Sequence, residues 1–426
     1  MKTKELLKFV QDGGLDPRLS EIYGDENVAT QRERYKKAIS SFDEYYGDKD
    51  VSLFSVPGRS ELSGNHTDHN CGKVLACSID LDIIAVATKT DDGVIAIKSE
   101  GFDEDVVDIS AYTEPVAADK YKSKALIAGM AKKFGISGYH AGGYKAYTTS
   151  NVFKGSGLSS SAAFEVMVGN ILNYFYNDGK VENAEIAKMA QYAENVFFGK
   201  PCGLMDQTAC AVGGVVYIDF NDTSSPEIKK IGFNLSGAGY ALCITDTGGN
   251  HADLNEDYAS VPSEMKSVAK FFGKEYLRQL TKEEVTAKAK ELRTAVGDRA
   301  LMRAIHFFNE NERVTKQAEA LIAKDTDTFF SYVLKSGDSS YKYLQNVYTV
   351  KNVREQGLSL ALCLTEDVLS GTKGAWRVHG GGFAGTIQAF VPLALVAKYK
   401  TEIEKVFGEG NCHILRIRGE GAIKII

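Results

Sequence analysis

The sequence has few prolines, no cysteine framework and no long apolar run. Only 7 of its 426 residues are proline, which excludes a proline-rich linker protein. Its seven cysteines are odd in number and include no Cys-x-x-Cys pair. We therefore predict neither a disulfide framework nor a zinc site, and we expect a reducing, cytoplasmic location. The longest apolar runs, such as residues 390–397, fall far short of the ~18 residues of a membrane span, and we expect no signal peptide.

The chain also lacks an excess of positive charge. Fifty basic and 56 acidic residues give a net charge of −6, so we expect no nucleic-acid partner. A hydrophobic content of 44% with 25% charged residues is typical of a globular chain and excludes a disordered tail or a coiled coil. Glycine is the residue in excess, with 41 of 426 positions. We expect these glycines in tight turns or close to ligands.

A chain of this length exceeds one typical domain, so we predict two lobes, residues 1–220 and 221–426. Strand-like and helix-like stretches are mixed without regular alternation, which favours an α+β fold with helices on mixed or antiparallel sheets. The strand-like stretches 81–88 and 93–97 flank an Asp-Asp-Gly sequence, where we expect a tight hairpin.

The first chemical segment follows a strand-like stretch and reads PGRSELSGNHTDH over residues 57–69. A polar turn is one interpretation, but a turn does not require an arginine, two histidines and an aspartate. Such a cluster can bind a polyhydroxylated ligand, because arginine offers a rigid cationic fork and aspartate accepts from hydroxyls. His66 and Asp68 could instead bind a metal, although no third ligand follows at an obvious spacing.

The second segment, residues 155–163, reads GSGLSSSAA and precedes an apolar helix. Backbone N–H groups at a helix start, together with the helix dipole, form an anion site. An ordinary serine N-cap is the alternative, but three serines behind two glycines exceed what a cap requires. No Gly-Lys-Ser/Thr follows, so phosphates held here would depend on amides, hydroxyls and a bound cation.

Two carboxylates and a glycine run complete the candidate site. Glu194 shares a predicted helix face with apolar residues, so it points inward and needs a partner, either a metal cation or a buried basic side chain. Asp206 lies in a stretch poor in charge, where a helix N-cap is the alternative interpretation. Three adjacent glycines at 380–382 indicate close backbone approach to a ligand or to another loop.

Together these segments resemble the galactokinases of the GHMP small-molecule kinase superfamily. The family's Pro-Gly-Arg, five residues, Glu-His-Thr-Asp-Tyr matches residues 57–69 with the same spacing. Its Gly-Leu-Ser-Ser-Ser-Ala matches residues 157–162, its Cys-Gly-Ile-Met-Asp-Gln matches 202–207, and its Gly-Gly-Gly-Phe-Gly-Gly matches 380–385. Four motifs in the right order and spacing make the resemblance specific.

The resemblance implies a two-lobed GHMP kinase fold with the active site in the cleft between the lobes. The first lobe would hold the sugar motif and the phosphate-binding loop, and the second a helical region, a sheet and the third glycine motif. The implied reaction is ATP-dependent phosphorylation of the anomeric hydroxyl of galactose, giving galactose 1-phosphate. ATP and Mg²⁺ are the implied cofactors, and a monomer or weak homodimer is expected.

The resemblance also assigns residues. Asp206 would accept the proton of the anomeric hydroxyl, or act electrostatically, and Arg59 would keep Asp206 ionised and stabilise the transferring phosphoryl group. Ser160 and Glu194 would hold Mg²⁺. Sugar hydroxyls would be bound by Asn65, His66, Asp68, Gly203 and Tyr258. The ATP phosphates would lie on Gly155, Ser156, Gly157, Leu158, Ser159, Ser160, Ser161 and Ala162.

The chain departs from the family's motifs at Leu204, Ala384, Glu61, Asn65 and His69. The family's glutamate before His-Thr-Asp is Asn65, which can hydrogen-bond but carries no charge. A related sugar such as N-acetylgalactosamine or arabinose is therefore an alternative substrate, and Asn65→Glu is expected to shift preference toward galactose. Glu61 and His69 are not expected to alter the chemistry. A catalytically idle sugar sensor is a further alternative, although the residues of the chemistry are present.

Overall fold

The computed structural model describes residues 1–152, 158–249 and 254–426. Its two sheets with packed helices confirm the α+β prediction. The helices are α1 (Thr3–Gln11), α2 (Asp16–Tyr23), α3 (Val28–Tyr46), α4 (Ser123–Ile136), α5 (Ser160–Tyr176), α6 (Asn183–Tyr192), α7 (Met205–Val212), α8 (Asn255–Phe271), α9 (Lys282–Ala287), α10 (Ala289–Ala295), α11 (Asp298–Ile322), α12 (Thr326–Ser339), α13 (Gly357–Leu369) and α14 (Val396–Phe407). The strands are β1 (Ser52–Ser63), β2 (Lys73–Lys89), β3 (Val94–Ser99), β4 (Glu104–Asp108), β5 (Tyr144–Ser150), β6 (Val215–Asp219), β7 (Glu227–Ile231), β8 (Tyr240–Asp246), β9 (Ala375–Val378), β10 (Thr386–Pro392), β11 (Cys412–Leu415) and β12 (Ile423–Lys424).

The larger sheet has the strand order β12-β1-β2-β5-β3-β4, and β6 joins it by pairing with both β2 and β7. Within it β3 and β5 are parallel, whereas the hairpin expected between residues 81–88 and 93–97 is wrong. Strand β5 lies between β2 and β3 and pairs with both. Turn residues set a local bend, but they do not decide which strand fills the next position. Here the chain forms β3, β4 and α4 after the turn, and then returns as β5 between β2 and β3.

The smaller sheet has the order β11-β8-β10-β9, with antiparallel neighbours. Strands β7 and β12 follow residue 220 in the chain yet belong to the larger sheet. The division at residue 220 stays a prediction. In the described part of the chain, no helix is both long and apolar enough to cross a membrane.

Helices α4 to α7 form the main hydrophobic core with the larger sheet. Helices α5 and α7 both pack directly on β1 and β2, which brings their N-terminal ends close to the middle of β1. Helices α1 to α3 cover another part of the same two strands and form a separate apolar cluster. The central strands are therefore covered by helices, and the residues of β1 that carry the first motif lie within this covered region.

A buried polar network joins the N-terminal helices to the sheet. Asp82 of β2 is fully buried and accepts hydrogen bonds from Arg34 Nη1 of α3 (2.5 Å) and Tyr23 of α2 (2.5 Å). Ser55 of β1 and Arg418 near the C-terminus also donate to its carboxylate, Arg418 at 3.3 Å. Asp82 thus connects four separate segments of the chain.

Candidate active site

The Pro-Gly-Arg motif lies inside β1 rather than in a turn after it. Successive side chains of a strand alternate, so Arg59 and Glu61 project from the same face. The Arg59 guanidinium reaches Asp206, with Nε to Oδ1 and Nη2 to Oδ2 both at 2.7 Å. Asp206 lies in the first turn of α7, whose N-cap position is Leu204. The aspartate is therefore one half of a two-pronged ion pair and not a helix cap.

A third group holds the same carboxylate. Ser159 Oγ, from the segment that leads into α5, donates to Asp206 Oδ2 at 2.6 Å. Burial by itself raises the pKa of Asp206, but Arg59 and Ser159 more than offset it, so this pKa lies below its usual value. The Asp206 side chain is 30% exposed and that of Arg59 only 10%. Asp206 is thus ionised at neutral pH, and part of its side chain stays accessible.

A small cavity of about 160 Å³ adjoins this ion pair. A Cβ built on Gly203 would lie 2.8 Å from Asp68 Oδ2, so these two predicted sugar-binding residues are brought together. Polar side chains of the first motif form most of its wall. It is lined by Arg59, Glu61, Gly64, Asn65, His66, Asp68, His69, Val74, Met205, Gly380 and Gly381.

Asn65 and His66 line this cavity but are bonded to protein groups. The Asn65 side chain is fully buried, and its Nδ2 donates to Glu61 Oε1 (3.1 Å) and to the Gly380 carbonyl (2.6 Å). His66 Nε2 lies 2.8 Å from the Gly381 carbonyl. Burial, reinforced by His69, lowers the pKa of His66 to about 4, so the ring is neutral and its Nε2–H donates to that carbonyl. A sugar-binding role for Asn65 and His66 stays a prediction.

The third glycine motif approaches another loop. Tyr258 Oη donates to the Gly382 carbonyl at 2.9 Å, and its ring packs edge-on against Phe383. Gly382 has φ +79°, and a Cβ there would lie 2.0 Å from the Asn346 carbonyl oxygen. Only glycine fits such an approach. Of the two uses predicted for these glycines, contact with neighbouring segments is the one observed.

Gly155, Ser156 and Gly157 of the predicted phosphate loop lie outside the described residues. Leu158 and Ala162 are fully buried, whereas Ser160 and Ser161 are partly exposed. The Leu158 carbonyl accepts from the Arg59 backbone N–H at 3.1 Å, which fastens this segment to β1. Ser159 has the left-handed backbone conformation, with φ +60°, as it enters α5.

A larger cavity of about 690 Å³ opens beside the first turn of α5. Its wall combines apolar and aromatic side chains with hydroxyls and carboxylates. Ser160 and Ser161 belong to the predicted phosphate loop, whereas sequence reasoning missed the other residues because they come from distant segments that share no motif. The lining residues are Ile83, Ser99, Glu100, Phe102, Asp103, Asp105, Ser123, Leu126, Thr148, Ser150, Val152, Ser160, Ser161, Phe164 and Phe198.

The prediction that Glu194 points inward is confirmed, since the residue is 2% exposed. Its carboxylate accepts from Lys200 Nζ (3.1 Å) and Gln207 Nε2 (2.8 Å). The same Gln207 amide also donates to Glu165 Oε2 at 3.2 Å. Burial and the nearby Glu194 raise the pKa of Glu165, a residue that sequence reasoning missed although it lies one helical turn after Ser161.

This carboxylate pair has the chemistry that a hard divalent cation prefers. Glu165 Oε1 is buried and has no hydrogen-bond partner among the residues described. Two carboxylates that share one amide donor are an oxygen-rich set of the kind that binds Mg²⁺. Over the described ranges, no three His, Cys, Asp or Glu side chains are grouped to hold a metal. A cation here would therefore also need hydroxyl, water or phosphate oxygens.

Comparison with known proteins places this site in a family. The chain is 30% identical to a galactokinase of Streptomyces coelicolor over 379 residues, covering 88% of this chain and 94% of that protein. It is 33% identical to a galactokinase of Actinobacillus pleuropneumoniae over 358 residues, covering 83% and 89%. The chain belongs to the galactokinase family. Galactokinase-family membership makes it a kinase that transfers a phosphoryl group to a sugar hydroxyl.

Family signatures and solved structures agree with this membership. Residues 40–89 match the galactokinase galactose-binding signature, and residues 123–214 match the GHMP kinases N terminal domain. The fold is similar to Lactococcus lactis galactokinase complexed with galactose (TM-score 0.75, 24% identity, 90% of this chain and 98% of that one). Methanococcus jannaschii mevalonate kinase shares it more distantly (TM-score 0.59, 14% identity, 87% and 99%). The predicted GHMP kinase fold is confirmed.

Proposed function

We propose that this galactokinase-family chain transfers the γ-phosphoryl group of ATP to the anomeric hydroxyl of galactose, giving galactose 1-phosphate. The observation that carries the proposal is the position of the Asp206 carboxylate. Arg59, from the strand that lines the small cavity, donates to both of its oxygens. Ser159, from the segment that begins α5, donates to Oδ2 as well. A base candidate is thus held between the strand that lines the small cavity and the start of the helix that lines the larger one.

In this proposal the sugar occupies the small cavity with its anomeric hydroxyl at Asp206. The hydroxyl oxygen forms a bond to the γ-phosphorus, the bond from that phosphorus to the bridging oxygen breaks, and ADP leaves. The ionised Asp206 accepts the hydroxyl proton, or supports the same step electrostatically while a phosphoryl oxygen takes the proton. Arg59 keeps Asp206 ionised and adds positive charge beside the phosphoryl group. Asp68 and Gly203 bind hydroxyls of the sugar.

ATP is assigned to the larger cavity. Apolar side chains such as Leu126, Phe164 and Phe198 line it and offer a surface for a purine ring. The cavity opens beside the start of α5, where free backbone N–H groups favour phosphates. Ser160 and Glu194 are the residues that would hold Mg²⁺, which would neutralise charge on the phosphate oxygens.

The test is coupled ADP release from Mg-ATP with galactose, N-acetylgalactosamine, glucose, talose, fucose and arabinose. A clear preference for galactose is the expected result. Turnover of another sugar would keep the kinase chemistry and replace the substrate. Measurable sugar binding without ADP release from any sugar would contradict the kinase proposal and favour the sensor.

A further inference from the structure

Two carboxylates line the small cavity, those of Asp68 and Glu61. Asp68 lies against Gly203, and Glu61 has no role in the reaction as proposed so far. It lies two residues after Arg59 on β1, and the register with β2 is regular between them, Arg59 opposite Ser78 and Glu61 opposite Ala76. Two residues of a strand span about 6.7 Å. A sugar whose anomeric hydroxyl reaches Asp206 therefore extends along the strand toward Glu61.

The two oxygens of Glu61 have different surroundings. Oε1 accepts from Asn65 Nδ2 at 3.1 Å and from Arg377 Nη2 at 3.2 Å. Oε2 accepts no hydrogen bond from the residues that the structure describes. Glu61 lines the cavity and its side chain is 8% exposed, whereas Arg377 is fully buried behind it. A carboxylate fixed through one oxygen and open at the other is an acceptor placed for a donor in the cavity.

We propose that Glu61 is the residue that selects the sugar by accepting a hydrogen bond from a ring hydroxyl or hydroxymethyl group distant from the anomeric carbon. Asn65 is then a positioning residue, because its amide donates to Glu61 and to the Gly380 carbonyl rather than into the cavity. The ligand class is a neutral sugar with a free hydroxyl at that end. The inference rests on the proposed function, since it takes Asp206 as the site of the anomeric hydroxyl.

Asn65 also accepts from Asn346 Nδ2 at 2.7 Å, so both ends of its amide are engaged by protein groups. A glutamate at position 65 would bring a second carboxylate against Glu61 in a fully buried position. Like charges at this distance repel strongly when desolvated. The expectation that Asn65→Glu improves preference for galactose is therefore replaced by an expected loss of folded protein or of sugar binding.

The experiment measures kcat/KM for galactose and its 2-, 3-, 4- and 6-deoxy analogues with the wild type and Glu61→Gln. We expect Glu61→Gln to lower kcat/KM for galactose about 10- to 100-fold, the effect of losing a hydrogen bond to a charged group. The fall in kcat/KM should come mainly from a higher KM. For the analogue that lacks the contacted hydroxyl, wild type and Glu61→Gln should perform equally.

Glu264→Gln is the matched control. Glu264 is a carboxylate partner of the buried Arg303, as Glu61 is of the buried Arg377, but it does not line the cavity. Its effect on kcat/KM should be the same for every analogue. Glu61→Asp keeps the negative charge beside Arg377 and withdraws it from the cavity, so it provides the same comparison where Glu61→Gln does not fold.

A Glu61 penalty of equal size on galactose and all four deoxy analogues, as in the control, would overturn the inference while leaving the proposed function intact. Failure of the wild type to phosphorylate any sugar would overturn the proposed function itself. A penalty that disappears with one analogue supports Glu61 and identifies the hydroxyl that it binds.

Discussion

Asp82 and Asp206 are both aspartates held by arginines, but their surroundings differ. Asp82 is fully buried between two arginines, Arg34 and Arg418, and is also bonded to Tyr23 and Ser55. Asp206 has one arginine and one serine, and 30% of its side chain is exposed. Four side chains donate to the Asp82 carboxylate. Two side chains hold the Asp206 carboxylate and leave part of it exposed.

The difference shows how one kind of ion pair serves structure or chemistry. Burial alone raises the pKa of each aspartate, and the arginines more than offset this, so both pKa values lie below the usual range. Both groups are therefore ionised at neutral pH. Donors surround Asp82 and leave no approach for a substrate, whereas Asp206 keeps an accessible side. The comparison predicts that Asp82 supports stability and Asp206 supports turnover.

The largest expected effect is that of Asp206→Asn on turnover. An amide cannot take the proton or carry the negative charge, so kcat should fall about 10²- to 10⁴-fold, the usual contribution of a general base. Coupled ADP release measures this, and calorimetric titration with a non-hydrolysable ATP analogue should show nearly unchanged nucleotide binding. A variant that keeps more than about a tenth of wild-type turnover would contradict the base role.

Asp82→Asn should act on stability instead. Removing one charge of a buried pair leaves Arg34 and Arg418 uncompensated, which costs about 3–5 kcal/mol of unfolding free energy. Urea unfolding measures the change, and kcat per folded molecule should stay close to that of the wild type. Because the folded pKa is lowered, the stabilisation is present above the unfolded value of ~3.9 and is lost as pH falls through the folded pKa.

The comparison would be contradicted if Asp82→Asn unfolded at the same urea concentration as the wild type but lost turnover. Asp206→Asn is the internal control, because its partly exposed carboxylate should contribute less to stability than Asp82. Asp82→Asn should therefore lower stability with little change in turnover, and Asp206→Asn should lower turnover with a smaller change in stability.

Arg59→Lys sharpens the comparison by weakening only the partner of Asp206. Lysine lacks the planar fork that makes two parallel hydrogen bonds, so kcat/KM should fall about tenfold, the effect of one hydrogen bond to a charged group. With a weaker partner the pKa of Asp206 rises, and the acid limb of the pH–rate profile should move to higher pH. A profile identical to that of the wild type would mean that Arg59 does not control the ionisation of Asp206.

The smallest expected effect is that of Ser159→Ala. It removes the 2.6 Å hydrogen bond to Asp206 Oδ2 and leaves the arginine in place. Because Arg59 still donates to the same oxygen in this variant, the loss should stay near the ~1 kcal/mol of an ordinary hydrogen bond, so kcat/KM should fall roughly fivefold, with a small rise in the pKa of the acid limb. Ser161→Ala is the comparison within the same loop: Ser161 lines the cavity assigned to ATP but has no described contact with Asp206, so its variant should leave the acid limb in place. Equal losses in both variants would assign the effect to the loop as a whole.

The motifs allowed much of the site to be predicted from the sequence. Motif spacing and the resemblance predict Arg59, Asp68, Gly203 and Asp206. In the structure Arg59 and Asp68 line the small cavity, Asp206 binds Arg59, and Gly203 lies against Asp68. The inward direction of Glu194 followed from helix periodicity alone. These features are local, because motif spacing and helical faces are set by neighbouring residues.

Other features could not be found this way. Strand β5 enters the sheet between β2 and β3, which depends on where a crossover helix packs. Asn65 bonds to Glu61, Asn346 and Gly380 because segments far apart in the chain meet there. The larger cavity likewise draws its wall from segments that share no motif.

Contiguous residues were enough to predict the family, the chemical groups and the local elements that carry them, because motif spacing and side-chain periodicity are local properties. Which carboxylate faces the small cavity depends instead on packing between distant segments. Glu61 and Asn65 are four residues apart and both polar, and no local pattern distinguishes their roles. The buried Arg377 and the glycine loop from the C-terminal part of the chain fix one oxygen of Glu61 and both ends of the Asn65 amide, and this long-range packing leaves Glu61 open to the cavity.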